Sequence, residues 1–141
     1  MAYPIPAYHF IVEWGGSRNS FTEVSGLSIQ TEVIEYREGA EPDARVMKMP
    51  GLTKFPNVIL KRGIIAGDAE LFQWMQTQQG SNVQRRDVTI SLLNEKHEPV
   101  ISWKLRNAFP VKVEVCTLKA DANEIAVECM ELAHEGLFTN V

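Results

Sequence analysis

Three histidines, two cysteines and a run of spaced glutamates are the residues in this chain with chemistry to offer. His9, His97 and His134 are widely separated, and none belongs to a His-x-Glu or His-Glu-x-x-His pattern. A metal ion needs clustered ligands, so these read as structural histidines. Cys116 and Cys129 fall on the last two predicted strands, close but not directly opposed. They read as small, buried, reduced hydrophobes, because a catalytic thiol needs a base beside it. Glu124, Glu128, Glu131 and Glu135 are spaced like a solvated strand face, not a carboxylate dyad. Glycine-rich phosphate loops and the Gly-x-Ser-x-Gly elbow are absent from the sequence. Trp14, Trp74, Trp103 and the Leu71–Met75 stripe fit a core better than a ligand cage. The expectation is therefore no catalytic residue, no cofactor, no metal and no enzyme.

The elements that carry these residues belong to one domain spanning 1–141, as expected from a length of 141 residues. Charge is 14 basic against 18 acidic residues, a net of −4, which argues against sequence-specific or general nucleic-acid binding. Apolar residues make up 45 %, too many for a disordered chain. The apolar runs are too short for a membrane helix, and the first residues, Met-Ala-Tyr-Pro-Ile-Pro, have no secretory signature. Synthesis in the cytosol and no direct membrane anchor are the resulting expectations.

Strand patterns cover Tyr8–Trp14, Phe21–Val24 and Asn57–Lys61. Leu27–Arg37 alternates, but its apolar parity flips, since Val33 and Ile34 are adjacent. That predicts a bulge or bend near Val33–Ile34, where a strand passes from one packed layer to another. One helix is expected over Asp68–Gln79, with Asp68 as N-cap and Gly80 as C-cap. Strands Asp87–Leu93, Val100–Asn107, Val111–Lys119 and Glu124–His134 follow, joined by turns at 94–99 and 120–123. Gly39–Gly51 is a long non-periodic stretch, of the kind that is usually functional. Asp121–Glu135 carries five acidic residues and Lys54–Arg62 three basic ones; between copies such asymmetry guides head-to-tail association.

The ordered segments Tyr3-Pro4-Ile5-Pro6, Val24-Ser25-Gly26-Leu27, Glu35-Tyr36-Arg37-Glu38-Gly39, Met49-Pro50-Gly51 and Asn57–Gly63 are followed by Leu71-Phe72-Gln73-Trp74, Trp103–Pro110 and Glu131–Gly136. In that order and spacing the sequence resembles the tail tube proteins of contractile phages and the inner-tube subunits of phage-tail-like contractile injection systems. The resemblance implies a mainly β, Hcp-like β-barrel of two packed sheets with one flanking helix and a long extended loop. It implies a structural subunit whose homohexameric rings stack into a hollow tube. The implied partners are sister copies, a sheath protein, baseplate and spike proteins and a tube terminator or cap. An effector cargo or DNA would pass along the lumen when sheath contraction drives the tube through a target membrane. The implied location is the bacterial cytoplasm during assembly, then a phage-tail-like particle or virion.

Elementary physics gives each part of that picture a role. Open strand edges invite pairing with another chain, and Leu27–Arg37 and Glu124–His134 are the long strands suited to it. Ser28, Gln30 and Glu32 share a parity and are the expected lumen-facing residues; an acidic wall would repel DNA and acidic cargo. Gly39, Ala40, Glu41, Pro42, Asp43, Ala44, Arg45, Val46, Met47, Lys48 and Met49 form the expected inter-ring stacking loop, assisted by Tyr3, Pro4, Ile5 and Pro6. A head-to-tail contact that does not close makes a filament. The competing reading is a monomeric small β-barrel that carries an apolar ligand.

Overall fold

The computed structural model describes residues 3–14, 17–19, 21–39, 46–77, 84–121 and 123–140. Within them the chain runs β1 (Phe10–Trp14), β2 (Ser17–Asn19), β3 (Glu23–Ser25), β4 (Gln30–Tyr36), β5 (Met47–Lys54), β6 (Val58–Gly63) and α1 (Glu70–Gln76). It continues through β7 (Arg86–Leu93), β8 (Pro99–Val115), β9 (Val127–Ala133) and β10 (Gly136–Asn140). Eight strands form one continuous antiparallel path, β2-β1-β7-β8-β9-β6-β3, with β10 added to β8; β4 and β5 pair only with each other.

The path makes two layers because β8 belongs to both. Its first part pairs β7 and β10, and its second part pairs β9. The two strands expected over 100–107 and 111–119 are thus one 17-residue strand. Three register shifts interrupt its ladders, one at Val100 near its start and two that bend it. Of these two, one sets Arg106 and Asn107 against Asp87 alone, and the other places Val111 as an extra residue between Pro110 and Lys112. Asn107 takes the left-handed conformation, φ 51°, which Asn tolerates better than most residues. Its N–H donates to Asp87 Oδ1 (3.0 Å) and its Nδ2 to Glu135 Oε2 (2.8 Å). The Glu135 N–H donates to the Arg106 carbonyl (2.9 Å), so the bend is tied to the β9–β10 turn. Pro110 fits in mid-strand because it sits beside a bulge, where a ladder donor is dispensable.

Burial follows the strand period of two. In β6, Val58, Leu60 and Arg62 point inward; in β9, Glu128, Met130 and Leu132 do. Val12, Trp14, Val88, Ile90 and Leu105 of the first layer join Val58, Leu60, Met130 and Leu132 of the second in one core. Helix α1 covers it with Leu71 and Trp74. Trp14 and Trp74 rings lie 5.4 Å apart, and both indole N–H groups are satisfied, by Glu70 (2.8 Å) and the Gln84 carbonyl (2.9 Å). The helix is shorter than the expected 68–79. Asp68 still caps its start, its Oδ1 accepting the Glu70 N–H (3.1 Å), although Ala69 is the N-cap residue. The expected C-cap, Gly80, lies outside the described residues.

The inward Arg62 and Glu128 face each other across β6 and β9 at 2.7 Å, with 3 % and 2 % of their surfaces exposed. Arg62 also reaches Asp68 (3.2 Å) and lies 5.8 Å from the Phe21 ring centroid. Glu128 is therefore not part of a solvated face. The charge asymmetry read as a guide between copies is partly consumed inside the chain, because the acidic and basic segments are neighbouring strands. Gly26, at φ 89°, packs so tightly on the next strand that a Cβ there would stand 2.3 Å from the Asn57 carbonyl oxygen.

Three expectations change. The two layers do not close into a ring: β2 and β3 end the path without pairing to each other. Of the long extended loop expected over Gly39–Gly51, residues 47–51 belong to β5, which pairs with β4. Glu124–His134 is not an edge strand, because β9 is flanked by β6 and β8.

The Asn107 bend is testable. Asn107→Val should lower unfolding free energy by about 2 kcal/mol in urea melts, because a β-branched residue resists positive φ. Asn107→Gly should cost less than about 1 kcal/mol. The N–H of Asn107, with help from Lys104, holds the Asp87 carboxyl below its ordinary value of 3.8; the Glu70 N–H, with Arg62, does the same for Asp68. The ionised forms are thus the ones the fold prefers. Their stabilisation is complete above the ordinary carboxylate range and is lost as pH falls through the depressed values. Asp87→Asn keeps an acceptor but removes the titration, so its urea midpoint should fall less than wild type between about pH 6 and about pH 2.5.

Candidate functional site

Strands β4 and β5 form a two-stranded arm that pairs with no strand of the main sheet. Their cross-strand pairs are Ile34 with Met49, Glu35 with Lys48, Tyr36 with Met47 and Val33 with Pro50. Alternation then puts Ile34, Tyr36, Met47 and Met49 on one face and Val33, Pro50 and the Glu35–Lys48 pair on the other. Ile34 is 49 % exposed, Tyr36 50 %, Met47 59 % and Met49 44 %. An isolated two-stranded ribbon is marginal in water, and one with an apolar face left wet is more so. The arm's chemistry is that of a surface made to be covered.

The parity flip at Val33–Ile34 has a different origin from the one expected. The register shift falls between Thr31 and Val33, and the extra residue is on β5, where Gly51 and Leu52 oppose Glu32. A Cβ on Gly51 would stand 3.0 Å from the Glu32 carbonyl and 3.1 Å from the Ile34 side chain. β4 does not cross between the packed layers. It carries apolar residues on both faces because the arm is exposed on both.

The expected stacking residues divide accordingly. Ala40, Glu41, Pro42, Asp43, Ala44 and Arg45 lie outside the described residues. Gly39 and Val46 are exposed at the inner ends of the connection, and Met47, Lys48 and Met49 are on β5. Tyr3, Pro4, Ile5 and Pro6 are exposed and precede β1. Pro4, Ile5 and Pro6 border a concavity of about 380 Å³ shared with Tyr8, His9 and the β7–β8 turn. Of the expected lumen residues, Ser28 precedes β4, whereas Gln30 and Glu32 lie at the base of the arm, not on the eight-stranded path. All three are exposed, and Glu32 forms an ion pair with Lys54.

One pairing escaped sequence reading. His9 and His97, 88 positions apart, meet with Nε2 and Nδ1 at 2.8 Å, because the Leu93 N–H donates to the His9 carbonyl and brings the N-terminal segment to the turn. His97 takes φ 61° there. Cys116 and Cys129 meet with Sγ atoms at 3.2 Å and are half-buried, not buried. Burial, then the hydrogen bond to Cys116, pushes the Cys129 thiol up to about 11. No group of three or more His, Cys, Asp or Glu side chains that could hold a metal occurs among the described residues.

No described helix is long and apolar enough to cross a membrane. Free strand edges remain on β2, β3, β10 and the arm. A sheet with open edges and an exposed apolar arm has surface that another chain could cover. A chain of the PVC extracellular contractile injection system, in its sheath-tube complex in the extended state, is 37 % identical with a TM-score of 0.90; 98 % of this chain and 92 % of that one are covered. A chain of the anti-feeding prophage cap, the AFP tube terminating cap, is 37 % identical with a TM-score of 0.91 over 99 % and 93 %. Hcp1 from Flavobacterium johnsoniae shares the fold, with a TM-score of 0.57 at 16 % identity over 94 % and 100 %. No curated protein sequence matches. The family model for T4-like virus tail tube protein gp19 matches residues 6–138, and the chain belongs to that tail tube family.

Proposed function

We propose that this protein is the inner-tube subunit of a contractile injection system or phage tail. Six copies form a ring, rings stack into a hollow conduit, and a surrounding sheath drives the conduit through a target membrane to deliver an effector or DNA. The observation that carries the reading is the nearly full-length likeness to the PVC sheath-tube chain. Likeness to chains of the AFP cap and the AFP baseplate supports contacts with a terminator at one end and baseplate and spike proteins at the other. Assembly takes place in the bacterial cytoplasm, and the product is a phage-tail-like particle or virion.

The arm supplies the stacking contact in this reading. Ile34, Tyr36, Met47 and Met49 are roughly half exposed, so covering each against the next ring contributes about 1 kcal/mol. Repeated around a ring, that decides between free rings and a filament. The connection 40–45 and the Tyr3–Pro6 segment extend the same contact. Ser28, Gln30 and Glu32 are assigned to the channel side. With Glu32 paired to Lys54, its charge contributes little to repelling an acidic cargo.

Deleting residues 42–48 should leave soluble rings and abolish tubes in negative-stain micrographs. The double substitution Tyr36→Ser with Met47→Ser should do the same while leaving the urea midpoint of the main sheet nearly unchanged. Long tubes from both variants would overturn the assignment of the arm to stacking. A species of single-chain mass at micromolar concentration in the wild type would overturn the tube reading itself.

A further inference from the structure

The geometry points to Cys116 and Cys129 as a cross-strand thiol pair that closes to an intramolecular disulfide when the protein meets a glutathione-type disulfide. Cys116 continues the β8–β9 ladder, its N–H donating to the Val127 carbonyl (2.9 Å), while Cys129 stands directly opposite Glu114. The two side chains are therefore diagonal neighbours on one face of the sheet. That face is the outer one: the core residues of β9 are Glu128, Met130 and Leu132, and Cys129 alternates with them. The thiols lie in a shallow depression of about 280 Å³ bordered by Lys61, Lys112 and Glu114, open to a small reagent. At 3.2 Å the sulfurs need to approach by only about 1 Å to reach bonding distance.

The exchange balances with a single co-reactant. One protein thiol loses its proton to solvent and attacks the glutathione-type disulfide, giving a mixed disulfide and one released thiol. The second protein thiol loses its proton, attacks the protein sulfur of the mixed disulfide and expels the second released thiol. Two protein S–H groups and one small disulfide become one protein S–S bond and two small thiols. Burial and the Cys116 contact keep Cys129 protonated at neutral pH, so closure accelerates as pH rises. The cross-link spans 13 positions and ties down the segment that carries the exposed Leu118 and Ile125. In the chain-entropy account a loop of this size lowers the unfolding equilibrium constant by up to about 100-fold. The bond concerns one chain; its service to a particle that passes from a reducing cytosol to an oxidising exterior rests on the tube reading.

The test uses the full-length protein in glutathione buffers poised reducing and oxidising, followed by non-reducing intact mass and peptide mapping. The expected oxidised product has lost two hydrogens, carries no glutathione, yields a peptide linking Cys116 to Cys129, and has a higher urea midpoint than the reduced protein. Cys116→Ser and Cys129→Ser should each abolish the linked peptide and the oxidation-dependent rise in midpoint. Persistence of two free thiols, two stable glutathione adducts, or a disulfide joining separate chains would overturn the proposal. Sedimentation of the same samples reports assembly independently, so failure of the tube reading would alter sedimentation and leave the mass result intact.

Discussion

Everything in the fold hangs on one strand having to serve two layers. β8 is 17 residues long, pairs β7 and β10 along its first part and β9 along its second, and cannot do both while straight. The bend is concentrated at Arg106–Asn107, where the extra residue sits and Asn107 turns to positive φ. The backbone groups this frees are satisfied locally: Asp87 takes the Asn107 N–H and the Arg106 carbonyl takes the Glu135 N–H. With the bend fixed, the inward residues of both layers meet on one core, and α1 has a surface to cover.

The Arg62–Glu128 pair plays a different part. A buried ion pair is weak evidence for stability, since desolvating two charges offsets most of their attraction. What it does supply is register. β6 and β9 both alternate inward and outward, and a one-residue slip would exchange every inward residue for an outward one. A slip by two would keep the parity but separate Arg62 from Glu128 and leave the Glu128 carboxylate buried alone. The pair therefore excludes the alignments that apolar packing would tolerate, and Asp68 extends the same restraint to the start of the helix.

How far the sequence could be read depended on where the signal was local. The strands 58–63 and 86–93, the single helix and the caps around Asp68 are marked by periodicity and short-range chemistry, and they appear nearly where expected. The fusion of two strands through Asn107 and Pro110 was not legible, because Pro110 inside a strand reads as a terminator until a bulge explains it. The hairpin nature of 47–54 was hidden for a similar reason: Met49-Pro50-Gly51 looks like a turn, and its strand character comes from pairing with β4. Glu128 looked solvated because only the fold brings Arg62 to it. His9 with His97 lay beyond any spacing rule, being 88 positions apart. The residues proposed for assembly were legible chiefly through likeness to a family, whereas their exposure needed the structure.

The distribution of free edges bears on how such a chain stays single before it assembles. β2 and β3, which end the main path, have three residues each, too short to template a partner strand strongly. The long strands that could do so, β8 and β9, are engaged on their neighbours along much of their length. The arm carries one patch of the apolar surface that remains, and Gly51 lets its two strands approach closely at the bulge; Tyr3, Tyr8, Ile65, Leu118 and Ile125 are exposed elsewhere. A bulge strengthens twist and makes a ribbon a poor template for indiscriminate pairing. In the proposed ring and stack, association waits for a correctly oriented copy, because short edges alone cannot hold a wrong one.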